Sequence, residues 1–199
     1  DFGKWIKYAN SLKLRMAIRM RFAEPDLARK YAEEAVNNNV GVITDNADNA
    51  AYQPTGNNML WLVVEGWNDA KACADITSYM EGYNDPRRER YFTESTFDQK
   101  GFKGLRAATN TSDDAYKKYS KPRIGQTDKT LWLTAAEVYF LRSEGSMLGW
   151  EMKGSAKELY EEGIRHSFDQ WGAGSADGYI QDGKSKPADY LDPNGSAES

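Results

Sequence analysis

The chain predicts an all-α fold: tetratricopeptide-like helical hairpins in an α–α superhelix, with long irregular loops. Three observations carry this. First, the segments 2–38 and 134–171 each hold two helix-length amphipathic patterns joined by a short connection, and helices joined so closely pack antiparallel. Second, one hairpin echoes the other. "ARKYAEEAV" at 28–36 resembles "AKELYEEGI" at 156–164, and upstream "LRMAIR" at 14–19 lies opposite "LRSEGS" at 141–146 with one residue of slippage. Third, small residues (Ala28, Ala32, Ala35; Ala156, Gly163) and aromatics (Tyr31; Tyr160) recur at helical spacing, as they do where tetratricopeptide helix pairs pack. Two copies do not by themselves make an array. The 199 residues read as a single domain, with hairpins at 2–38 and 134–171 and a loop-rich insertion at 39–133.

The first helix is predicted over 2–22. Trp5, Tyr8, Ala9, Leu12, Met16 and Met20 fall on one face, and Leu14, Ile18 and Phe22 form a second stripe. Arg15 and Arg19 lie between the stripes. No acidic residue occurs from Lys4 to Arg21, so these arginines look to other segments or to water for partners. Pro25 suits the first turn of a second helix, which runs to about 38, where "NNNVG" stops it. The insertion opens with the turn-rich "TDNADNAAYQPTGNN". "MLWLVVEGW" fits strand or helix, because periodicity does not separate the two in so short an apolar run. "DAKACADITSYMEGY" reads as a helix ended by "NDPRRERYF", and 93–130 is polar and loose, the kind of segment that serves as functional surface. A third helix is predicted over 134–149 and a fourth over 155–171, the latter opened by Ser155 and Glu158 at capping-box spacing. Strand content should be small.

Composition bounds the function. The chain is 40% hydrophobic and 28% charged, with 13% aromatic residues and a net charge of −4, so bulk electrostatic binding to nucleic acid is not expected. Cys73 is the one cysteine, which excludes an internal disulfide and reads as a buried free thiol. No run is long and apolar enough to span a bilayer, and no signal peptide opens the chain. Its abrupt start at Asp1 and its loop-like end, "LDPNGSAES", read as those of a fragment.

"LTAAEVYFLRSEGSMLGW" at 133–150 poses a specific problem. At 100° per residue, Glu137 and Glu144 share a narrow stripe, with Phe140 on one side and Leu141 and Leu148 on the other, while Arg142 sits between Val138 and Ser146. A helix apolar nearly all round is buried, and buried charges need partners. Glu137, Arg142 and Glu144 are therefore expected to tie hairpins together, with Arg15 and Arg19 as partners. As a catalytic pair the two glutamates would lie about 10 Å apart along one helix face, which is long for acid/base work on a glycosidic bond, and nothing in the sequence marks a substrate cleft beside them.

The same residues carry a resemblance. "WIKYANSLKLRMAIRM", "YMEGYNDPRRERYF", "LTAAEVYFLRSEGSMLGW" and "SAKELYEEGIRHSFDQWG" together resemble the SusD/RagB family of nutrient-binding outer-membrane lipoproteins. The resemblance implies an all-helical fold with tetratricopeptide-like hairpins and long loops carrying the ligand site. It implies no enzyme activity and no cofactor. It also implies capture of a glycan or other nutrient at the cell surface and transfer to a SusC-like TonB-dependent transporter. The membrane would be reached only through lipid on an N-terminal cysteine that this chain does not contain; Cys73, mid-chain, cannot play that part.

Side chains for such a task are sought among aromatics, whose flat faces match the C–H faces of sugars. Trp61, Trp67, Tyr79, Tyr83 and Tyr91, with Tyr52, lie in the irregular middle and are the candidate ligand contacts. Trp5 and Trp171 fall on apolar helix faces and are expected in the core, and Arg87 in "DPRRER" is expected to tie its turn. His166, the sole histidine, reads as solvated. One Cys and one His cannot supply a zinc site. Asp45, Asn46, Asp48 and Asn49 offer oxygen donors, but without the glycine and terminal glutamate of a calcium loop they read as a turn. "GKSKPADY" at 183–190 lacks phosphate-loop spacing. The alternative function is a helical scaffold that binds a peptide or partner protein in a groove.

Overall fold

The computed structural model describes residues 1–182; "GKSKPADY" and "LDPNGSAES" lie outside the described residues. The elements, in order, are α1 (Phe2–Met20), α2 (Pro25–Asn37), β1 (Ala50–Tyr52), α3 (Met59–Trp61), α4 (Ala74–Gly82), α5 (Arg88–Tyr91), α6 (Asp113–Tyr116), β2 (Thr130–Leu133), α7 (Ala135–Met147), α8 (Ala156–Gln170) and α9 (Asp177–Gln181). The fold is all-α apart from one two-stranded ribbon. Its four long helices form the antiparallel hairpins α1/α2 and α7/α8, and α1 also packs on α7.

Local chemistry sets the helix ends. Asp1 accepts the Gly3 amide at 2.9 Å, and Pro25 occupies the first turn of α2. Thr134 accepts the Glu137 amide at 3.3 Å. Ser155 and Glu158 form the reciprocal capping box, each side chain accepting the other's backbone amide. The first helix ends at Met20, short of Phe22, because residues 21–23 turn towards α2.

The core lies between the two hairpins: Leu14, Ala17 and Ile18 from α1, Ala32, Ala35 and Val36 from α2, and Leu133, Ala135, Val138, Met152 and Leu159 from the second hairpin, with Val42 and Ile43 closing it. Small residues permit the close approach the sequence pattern demands. A Cβ added at Gly163 on α8 would sit 2.7 Å from Phe140 of α7, and one at Gly145 on α7 would sit 2.8 Å from the Met152 sulfur. Only glycine lets these helices meet at this spacing.

Of the two apolar stripes of α1, the structure buries the one built on Leu14 and Ile18, joined by Ser11 and Ala17. Trp5 and Met16 are exposed, and so is Phe22. The expectation that Trp5 is core is therefore corrected: α2 and α7 flank one side of α1 and nothing described covers the other. Trp171 is likewise half-exposed at the end of α8, its ring edge-on to Tyr91 at 4.7 Å. Cys73 is exposed, not buried; it precedes α4, where its thiol donates to Asp75 at 3.1 Å.

The insertion leaves and rejoins the helical frame through β1 and β2, which pair antiparallel with Ala50 opposite Leu133 and Tyr52 opposite Thr130. "MLWLVVEGW" is helical: α3 runs into a π-helical segment, Leu62–Gly66, which carries Trp67 on a bond from its amide to the Leu62 carbonyl at 2.8 Å.

Candidate functional site

The charges of α7 divide into two kinds. Glu137 receives a two-pronged bond from Arg15, Nε to Oε1 at 2.6 Å and Nη2 to Oε2 at 2.7 Å, and Nη2 also donates to the Trp132 carbonyl at 2.9 Å. Glu144 pairs with Arg21, not with Arg19, which is exposed and makes no ion pair among the described residues. Both glutamates are half-exposed, so α7 is not buried all round.

Arg142 is the buried charge of α7, and among the described residues no carboxylate pairs with it. Its Nε and Nη2 donate to the carbonyls of Met152 and Lys153, each at 3.0 Å, and its guanidinium lies 5.1 Å from the Tyr139 ring centre. Burial pulls its pKa below the ordinary arginine value, with Tyr139 opposing. A guanidinium suits this place because the α7–α8 turn leaves carbonyls without amide partners. Tyr139 in turn stacks flat on His166, ring centres 4.9 Å apart.

Side chains of the "TDNADN" turn are occupied in bridging the hairpins. Asn46 donates to the His166 carbonyl at 2.9 Å and to Asp169 at 2.8 Å. Asn49 accepts the Ala135 amide at 2.7 Å, and Asp48 pairs with Lys7 and Lys4. Among the described residues no cluster of three His, Cys, Asp or Glu is arranged to hold a metal ion.

The "DPR" turn docks the insertion on α8. Arg87 donates from Nε to Asp85 Oδ1 at 2.9 Å and from Nη2 to Oδ2 at 2.5 Å, and its Nη1 reaches Ser167 Oγ on α8 at 2.8 Å. The guanidinium covers Phe168, 4.9 Å from the ring centre, and Tyr179 on α9 donates to Asp85 at 3.4 Å. Arg87 thus ties its own turn and a second element as well. Burial lowers its pKa, but the hydrogen bond and charge of Asp85 outweigh it and hold the pKa above the usual value.

The five candidate aromatics are not gathered into one place. Tyr79 on α4 and Tyr83 just past its end lie 4.7 Å apart, tilted to each other. Tyr91 packs between Phe92 and Trp171. Trp67 is exposed at the end of the π-helical segment, and Trp61 is half-buried.

A concave aromatic surface forms elsewhere. Trp5 and Tyr8 of α1, Trp132 of β2 and Ala50 and Ala51 of β1 enclose a cavity of about 230 Å³ with Lys4, Asp48 and Asn49 at its rim. Trp5 is 64% and Trp132 51% exposed. Trp5 meets Tyr8 edge-on at 6.1 Å. Trp132 and Tyr52 stack with ring centres 6.2 Å apart and planes 6° from parallel, Trp132 being the residue that the ribbon's register skips. The Lys7 hydrogen bond, opposed by burial and aided by Lys4, holds the Asp48 carboxyl below its ordinary pKa. The cleft therefore offers flat aromatic faces beside the fixed Asp48 carboxylate, a combination that grips a ring with apolar C–H faces and hydroxyl edges. Sequence reasoning missed Trp132. "TLWL" gave no alternation to read: Leu131 and Trp132 are both exposed and only Leu133 is fully buried, because the ladder shifts register between them.

Comparison with known proteins places these features. The family model described as Susd and RagB outer membrane lipoprotein, SusD-like, matches residues 1–199. A SusD-like protein from Bacteroides thetaiotaomicron superposes with a TM-score of 0.88 at 41% identity, covering 97% of this chain and 41% of that one. A SusD homologue from Bacteroides uniformis gives 0.87 at 45% identity, covering 94% and 40%. A chitin-binding SusD homologue from Flavobacterium johnsoniae gives 0.87 at 38% identity, covering 98% and 41%. The chain thus spans about two fifths of the length of these structures. No curated protein matches it.

Proposed function

Since the chain belongs to the SusD-like family of outer-membrane lipoproteins, we propose that it contributes non-catalytic glycan binding at the bacterial outer-membrane surface and serves delivery of the ligand to a SusC-like TonB-dependent transporter. Attachment to the membrane is by lipid on a cysteine outside these residues; among the described residues no helix is long and apolar enough to cross a bilayer. The observation that carries the reading is the cleft of Trp5, Tyr8 and Trp132, extended by Tyr52, with Asp48 and Asn49 at its rim. Exposed rings in a concave surface gain by covering the apolar faces of a sugar, while the rim groups bond its hydroxyls. That a relative of the same fold is a chitin-binding protein supports the same substrate class. Trp67, Tyr79 and Tyr83 are further contacts in this reading, for ligand reaching across the insertion.

The test is calorimetric titration with a panel of neutral and acidic polysaccharides and chito-oligosaccharides, on the parent and on Trp132→Ala and Trp5→Ala. At least one glycan should bind, and each variant should weaken it about tenfold or more, as expected when about 1.4 kcal/mol of stacking is lost, with an unchanged melting midpoint. Binding indifferent to both substitutions, or no binding across the panel, overturns the assignment of this cleft.

A second reading, a helical surface that seats another polypeptide segment, is favoured by one observation. Phe2, Trp5, Met16 and Phe22 of the first hairpin are all exposed, and large exposed apolar side chains on one element mark surfaces that seat a partner. Under that reading Trp5→Ala and Met16→Ala raise solubility and leave every glycan titration unchanged.

A further inference from the structure

A second concavity, sharing no residue with the aromatic cleft, lies between α4 and the run from Phe102 to Thr111. It measures about 500 Å³. Its floor is rigid. The Gly104 amide donates to Thr77 Oγ1 at 2.9 Å, and the Lys103 amide donates to the fully buried Ser120 at 3.0 Å. Leu105 and Cys73 form a single parallel β-bridge. A Cβ at Gly104 would lie 2.3 Å from the Cys73 carbonyl oxygen, so only glycine allows the run to press this closely on α4 and leave the hollow beside it.

The walls are chemically unspent. Phe102 and Tyr119 give aromatic surface, and Tyr119 is itself braced edge-on by Phe97 at 5.0 Å. Ser78, Arg106, Asn110 and Thr111 line the hollow with side chains that bond no other described residue. The other charges there are engaged: Glu81 faces Arg88 at 3.5 Å, and Lys103 donates to Gln99 at 3.2 Å. Arg106 is thus the free charge, a planar fork of donors whose geometry matches a carboxylate.

We propose that this hollow is a second saccharide subsite, selective for a sugar ring bearing a carboxylate, with Arg106 on the carboxylate, Ser78, Asn110 and Thr111 on the hydroxyls, and Phe102 and Tyr119 against the ring. The proposal rests on the glycan-binding reading and adds the charge of the ligand to it. A preformed hollow of this size holds one or two sugar rings, and its unpaired donors outnumber its acceptors, which suits an acidic glycan over a neutral one.

Calorimetric titration of the full chain with polygalacturonate and with neutral galactan tests it. Polygalacturonate should bind at least tenfold more tightly, and its affinity should fall with added salt. Arg106→Ala should erase that preference, Arg106→Lys restore part of it, and Asn110→Ala weaken polygalacturonate with no change in melting midpoint. Equal affinity for the two polymers, a preference that survives Arg106→Ala, or binding of neither polymer overturns the subsite. The wider panel on the Trp132 and Trp5 variants decides the glycan-binding reading independently, since it needs no acidic ligand and none of these residues.

Discussion

Replacing Arg87 by alanine should be among the most damaging single changes in this chain, although Arg87 touches neither proposed sugar surface. The side chain of Asp85 is only 6% exposed. Arg87 supplies its close, two-pronged partner and links it to Ser167 on α8. Removing the guanidinium strands a buried carboxylate, which costs about 3–5 kcal/mol in such settings. The remaining donors to Asp85, the Arg87 backbone amide at 2.9 Å and the Tyr179 hydroxyl at 3.4 Å, offset part of this, so the lower end, about 3 kcal/mol, is the expectation. For a domain of this size that corresponds to a fall of roughly 6–12 °C in melting midpoint. Urea unfolding followed by tryptophan fluorescence measures it, provided that the transition is two-state. Arg87→Lys should recover only part of the loss, because an ammonium cannot reproduce the fork across both oxygens. Asp85→Asn combined with Arg87→Met should cost less than Arg87→Ala alone, since no charge is left stranded. A loss below about 1 kcal/mol, the range of exposed pairs, would show that the pair is solvated in solution and that the "DPR" turn is not what fastens the insertion to α8.

Two further outcomes separate buried from exposed chemistry. Arg142→Ala should cost about 2–4 kcal/mol, by leaving the Met152 and Lys153 carbonyls without their donor, whereas Glu144→Ala should cost about 0–1 kcal/mol because its pair with Arg21 is half-exposed; thermal unfolding of the two variants side by side checks the ordering, and a reversed order contradicts it. At high pH, burial first and the Asp85 charge second push the Tyr179 phenol up from 10.0 to about 12, against the opposing Arg87 charge. The folded state therefore holds that proton more tightly than the unfolded chain, and the stability it confers is complete below pH 10 and lost as the pH rises towards 12. Tyr179→Phe should make the stability profile shallower over that interval, and equal slopes in parent and variant would contradict the assignment.

By itself the sequence determined the helical frame. The 3.6-residue periodicity of α1, α2, α7 and α8, the Ser155–Glu158 capping box and the small residue Gly163 are local signals, and each acts within a few residues or demands one particular neighbour size. The four motif stretches likewise carried the SusD-like family, because they are contiguous. Tertiary structure alone decided which stripe of α1 is covered, since both stripes are apolar and only the placement of α2 and α7 chooses Leu14 and Ile18 over Trp5 and Met16. It also decided the partners of the charges. Glu144 on α7 meets Arg21 at the end of α1, and Arg142 meets carbonyls instead of a carboxylate, because a side chain's partner depends on the hairpin crossing and not on neighbours along the chain. The aromatic cleft joins Trp5 to Trp132 across more than a hundred residues, through a ribbon whose strands are three and four residues long. Segments that short have no periodicity to read, and they become strands only when the ends of the insertion are brought together over the helical core.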